Sequence, residues 1–95
     1  MNTLNVLVTY IAKTGDDAVN FVAELENSGA AAEVRKEDGC IKYDYYFSTA
    51  DEREVLLVEE WESAEHQKVH MTQPHMTEVT AIKEKYIEDV KVKFL

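Results

Sequence analysis

Apolar positions alternate with polar ones over residues 4–11, with Leu4, Val6, Val8 and Tyr10 on one face and Leu7 and Ile11 on the other. This predicts a strand with apolar groups on both sides. After a turn at Lys13, Thr14 and Gly15 the period lengthens, and Ala18, Phe21, Val22 and Leu25 fall on one helical stripe. Asp16 and Asp17 suit the positive end of that helix. Asn27, Ser28 and Gly29 interrupt it, and the run from Ala30 to Val34 predicts a second short helical piece that closes near Asp38 and Gly39, the latter a left-handed turn residue. Residues 40–48 return to a period of two, placing Ile41, Tyr43, Tyr45 and Phe47 on one face and Lys42, Asp44, Tyr46 and Ser48 on the other. A polar connection of hairpin length, 49–53, leads to the branched apolar strand 54–61, so these two strands should pair antiparallel. Ser63 is placed to cap a helix that Thr72, Gln73 and Pro74 stop, and Pro74 suits the first position of the next, whose stripe is Val79, Ile82 and Tyr86. Residues 88–95 alternate again, with Val90, Val92 and Phe94 on one face of a closing strand.

The order of elements is strand, helix, strand, strand, helix, strand. That is the α+β, ferredoxin-like split βαβ arrangement with an antiparallel sheet, expected as a single domain over residues 1–95. Helices then cover one sheet face only. Strands 4–11 and 54–61 nevertheless carry apolar groups on both faces, and an apolar sheet face of that width is not left in water. A homodimer packed sheet to sheet would bury both open faces.

Charge narrows the range of partners. A formal net charge of −9 spreads carboxylates over the surface and disfavours nucleic acid and anionic membranes, whose binding rests on Lys and Arg. No stretch reads as a signal peptide, and no apolar run approaches the roughly 20 residues that span a bilayer, so a cytoplasmic location is expected. The single cysteine, Cys40, permits no internal disulfide and carries no motif that would lower its pKa.

Candidate chemistry gathers between residues 43 and 75. Glu59 and Trp61 stand two apart on a strand and point to the same side as Val55 and Leu57. One reading makes Trp61 a core aromatic and Glu59 the partner of an amide or cation. The other makes them the wall of a cavity between sheet and helices in which a planar ligand stacks on Trp61, with Tyr43 and Tyr45 as further wall if register permits. His66 and His70 are four apart and share one side of a helix, with His75 just past Pro74. Each imidazole is either a capping, surface or satisfied core group, or a general base titrating near neutral pH. The HExxH arrangement is absent, so no metal site is expected.

The run Glu37-Asp38-Gly39-Cys40-Ile41-Lys42-Tyr43, then Val58-Glu59-Glu60-Trp61-Glu62-Ser63, then His70 and Gln73-Pro74-His75-Met76 resembles the antibiotic-biosynthesis monooxygenase (ABM) family, and within it the small quinol monooxygenase-like bacterial proteins. The resemblance covers nearly the whole chain. It implies a dimeric α/β barrel of two ferredoxin-like subunits, each with a pocket between sheet and helices. The implied activity is cofactor-free monooxygenation of a quinol or polyhydroxylated aromatic small molecule by molecular oxygen. In it His70 or His75 acts as base, and Trp61, Tyr43 and Glu59 hold the substrate. The haem-degrading branch carries an Asn on the first strand and a Trp and a His on later helices. The nearest positions here are Val8, His70 and Thr80, so that triad is missing. Other members of this fold isomerise or only bind small molecules, and both alternatives remain open.

Overall fold

The computed structural model describes residues 2–95; Met1 lies outside the described residues. The elements run β1 (Leu4–Ala12), α1 (Gly15–Asn27), α2 (Ala30–Arg35), β2 (Cys40–Phe47), β3 (Glu54–Trp61), α3 (Ala64–His70), α4 (Met76–Tyr86) and β4 (Ile87–Phe94). Four antiparallel strands lie in the order β2-β3-β1-β4. This is the ferredoxin-like α+β arrangement that the order of periods predicts. β4 pairs with β1 of its own chain, Val8 opposite Val92 and Val6 opposite Phe94.

Local signals set the helix ends. Thr14 Oγ1 accepts from the Asp17 amide at 3.0 Å, and Asp16 and Asp17 occupy the first turn of α1. Ser63 Oγ accepts from the His66 amide at 3.2 Å to cap α3. Gly29 and Gly39 adopt φ of +87° and +81°, the left-handed region that glycine enters without cost from a Cβ. At Gly39 a second constraint applies, because a Cβ there would lie 2.3 Å from the His66 ring.

The helices cover one face of the sheet. Val6, Val8, Tyr10 and Ala12 of β1 and Val55, Leu57, Glu59 and Trp61 of β3 are buried beneath Phe21 and Leu25 of α1, Ala31 and Val34 of α2, and Val79 and Ile82 of α4. Each large apolar side chain in this layer contributes about 2 kcal/mol of transfer free energy. On the other face Leu7, Ile11, Leu56 and Val58 form a half-buried apolar strip with no helix over it.

Two expectations need correction. A bulge between Cys40 and Lys42 sets Cys40 opposite Trp61 and Lys42 opposite Glu60, so Ile41 is the extra residue and is 50 % exposed instead of joining Tyr43 in the core. Pro74 does not open α4: its carbonyl accepts from the Thr77 amide at 3.1 Å in a turn, and the helix starts at Met76.

Candidate active site

Between sheet and helices lies a cavity of about 380 Å³. Its sheet side is Val6, Val8 and Tyr10 of β1, Tyr43 of β2, Glu59 of β3, and Val90, Val92 and Phe94 of β4. Its helix side is Gln67, His70 and Met71 of α3 with Met76, Val79, Thr80 and Lys83 of α4. The register produces this grouping. Tyr43 sits opposite Glu59, and Glu59 opposite Val6, so one row of the sheet carries phenol, carboxyl and alkyl groups side by side. The helices do not reach over β4, which leaves Val92 and Phe94 more than half exposed along one side of the cavity.

His70 is the imidazole that lines the cavity, and a carboxylate behind it sets its tautomer. Its Nδ1 lies 3.0 Å from both oxygens of Glu37, and His75 Nε2 lies 2.5 Å from Glu37 Oε2. An ionised carboxylate only accepts, so both imidazole nitrogens facing it carry their protons. His70 in its neutral form therefore presents a bare Nε2. No fully buried side-chain polar atom among the described residues lacks a hydrogen-bond partner. His70 Nε2 and the second oxygen of Glu59, to which none of the described residues supplies a partner, therefore open onto the cavity.

Trp61 lies one layer back. It is wholly buried and outside the cavity lining, its Nε1 donates to Glu59 Oε1 at 2.9 Å, and its ring packs against His70 with centroids 4.6 Å apart. The indole thus holds the carboxyl and supports the imidazole, instead of offering a face to a ligand. Burial raises the pKa of Glu59, opposed by the Trp61 hydrogen bond and the nearby His70. Burial also pushes the Tyr10 and Tyr43 phenols up, so both stay neutral and can donate. The Tyr43 and Tyr45 hydroxyls are 3.5 Å apart.

Of the residues singled out from sequence, His70, Tyr43 and Glu59 converge on the cavity. His75 joins them only through Glu37 and does not line it. His66 stands apart, its Nε2 3.4 Å from Asp38 Oδ2 and 3.9 Å from Glu62 Oε2. These donor atoms all lie within 4.8 Å of one another, and both carboxylates are exposed. Val8 and Thr80, the positions nearest to two members of the haem-degrading triad, do line the cavity, as an alkyl group and a hydroxyl. Glu37, Tyr10 and Lys83 were not foreseen. Glu37 stands 33 residues before His70, beyond the reach of any local periodicity.

Known proteins resemble this chain in fold and in sequence. Solved structures superpose along almost the entire chain. A Mycobacterium tuberculosis protein gives a TM-score of 0.81 at 25 % identity, covering 99 % of this chain and 93 % of that one. A Pseudomonas aeruginosa protein gives 0.84 at 24 %, covering 100 % and 93 %. A Caulobacter crescentus protein described as a candidate antibiotic biosynthesis monooxygenase gives 0.87 at 20 %, covering 98 % and 87 %. At the lower identities the likeness is one of fold. Among curated sequences, the uncharacterised YjcS of Bacillus subtilis is 40 % identical over 47 residues, a match spanning 50 % of this chain and 45 % of that protein. Residues 6–81, which include the strands and helices that contribute to the cavity except β4, the end of α4 and the first two residues of β1, match the family described as Antibiotic biosynthesis monooxygenase, and the chain belongs to that family.

Proposed function

We infer that the protein is a cofactor-independent monooxygenase of the cytoplasm, acting as a homodimer on a quinol or polyhydroxylated aromatic molecule. The observation that carries this reading is His70: an imidazole oriented from behind by Glu37, with a bare Nε2 facing an apolar cavity. The cavity volume falls in the range of about 300–1,000 Å³ usual for small-molecule sites.

Triplet oxygen reacts slowly with closed-shell molecules, but an electron-rich phenolate can pass it one electron directly. His70 Nε2 takes the phenolic proton, and the Glu37 carboxylate stabilises the imidazolium that results. Superoxide and the substrate radical combine at a ring carbon to give a peroxide. Loss of water from that peroxide leaves a new carbonyl, so a quinol and O₂ become a hydroxyquinone and one H₂O. The Glu59 carboxyl, which burial helps to hold its proton, and the Tyr43 phenol are suited to protonate the peroxide and to hold the developing oxygen charge. The alkyl side chains of Val6, Val8 and Val79 give the radical pair an apolar wall.

A second reading is favoured by one observation, that a bare imidazole nitrogen and a carboxyl oxygen open onto the same cavity. Such a pair also serves an isomerase that moves a proton next to a carbonyl. Oxygen consumption by metal-stripped protein across a panel of quinols separates the two. Uptake that depends on the protein and falls about 100-fold in His70→Gln supports oxygenation. Absence of uptake across the panel removes it in favour of isomerisation or of binding without turnover.

A further inference from the structure

The cavity has two chemically different ends. Glu59 and His70 mark one; the other lies where β1 and β4 approach Ala12. There Val90 pairs with Tyr10, and the Tyr86 carbonyl at the end of α4 accepts from the Lys13 amide at 2.9 Å. Lys83 precedes Tyr86 by one turn and is the one cation among the cavity-lining residues. Most basic side chains of this acidic protein are held by carboxylates, Lys85 by Glu24, Arg53 by Glu88 and Arg35 by Glu26. Lys83 is half-buried, and among the described residues no carboxylate pairs with it. A half-buried ammonium on an apolar cavity is stabilised by an anion brought in with a ligand.

Spacing defines that ligand. Met76, Val79, Thr80 and Lys83 form one stripe along α4, and Lys83 lies seven residues beyond Met76, roughly 10 Å along the helix axis. On the sheet, Tyr10 lies four residues from Val6, the partner of Glu59, or roughly 13 Å along β1. We propose that the substrate class is the elongated hydroxyaryl carboxylic acids, bound with the hydroxyl at His70 and Glu59 and the carboxylate on Lys83. This rests on the cavity being the ligand site, and it adds to that reading the recognition of an anion at the far end.

Isothermal titration calorimetry at pH 7 and low salt tests it with 4-hydroxycinnamate, its methyl ester and the shorter 4-hydroxybenzoate. The cinnamate should bind about 10-fold more tightly than its ester, the worth of one charge-assisted hydrogen bond. Lys83→Met should reduce the acid to the affinity of the ester and leave the ester within about twofold, while Lys83→Arg should keep the preference. The benzoate, too short to reach both ends, should show less of it. Equal affinity of acid and ester, a preference that survives Lys83→Met, or no binding of the acid overturns the proposal. Binding is read without turnover, so failure to consume oxygen leaves this result standing, and loss of the acid preference leaves oxygenation standing.

Discussion

Removing the Glu37 carboxylate tests how the site is held together. In Glu37→Ala the His70 Nδ1–H loses its acceptor at a residue 2 % exposed. A hydrogen bond to an ionised group is worth about 1.5–3 kcal/mol. His75 is 19 % exposed at its side chain, so water recovers much of its loss and about 1 kcal/mol remains. Against these, the variant no longer dehydrates a carboxylate whose side chain is 9 % exposed, which offsets part of the cost. The net expectation is a loss of about 2–3 kcal/mol, a large share of the roughly 5–15 kcal/mol available to a small domain. Glu37→Gln, whose amide oxygen can still accept one of the two N–H groups, should lose about half as much. Urea denaturation at fixed pH measures both variants, with an unchanged slope confirming that the unfolded state is not altered. A loss below about 0.5 kcal/mol in Glu37→Ala would refute the bridging role, as would additivity with His70→Phe in a double-mutant cycle.

Three further outcomes are expected. The raised Glu59 pKa means that the folded state binds this proton more tightly than the unfolded chain. Stability should therefore fall as pH rises from the ordinary value of 4.5 through the raised one, and Glu59→Gln, which keeps an acceptor for Trp61, should flatten that dependence in urea midpoints taken across the window. Leu56→Arg, on the apolar strip outside the helices, should convert a dimer to monomers by light scattering, and a wild-type monomer at micromolar concentration would defeat the dimer itself. Gly29→Ala meets no atom within 4 Å and should cost only the left-handed backbone strain of about 1–2 kcal/mol, whereas Gly39→Ala must also displace the His66 ring and should cost clearly more by thermal or urea unfolding.

The fold was legible because its strands and helices obey different periods. Alternation in 4–11 and 54–61 against the spacing of Ala18, Phe21 and Leu25 was enough to order the elements. Alternation assumes an unbroken ladder, and for that reason the bulge that turns Ile41 outward escaped it. At the site, the shared side of Glu59 and Trp61 followed from their spacing, but their depths did not, since depth depends on where α3 and α4 lie. Tyr43 faces Glu59 because of one register among several that the alternating pattern allows. Glu37 stood inside the run that carried the family resemblance, yet nothing local gave it a role. Its partners come from α3 and the turn before α4, and only the folded chain brings them together.

The packing of Trp61 on His70 also makes the protein its own optical instrument. Trp61 is the only tryptophan, so all indole emission comes from one ring, wholly buried and in contact with the imidazole proposed as base. An imidazolium accepts an electron from excited indole far more readily than a neutral imidazole does. Emission should therefore dim when His70 holds a proton and recover when it gives the proton up. The charge on the base can then be followed in real time, without a label and without a coloured substrate, while the other side of the same imidazole remains open to the cavity.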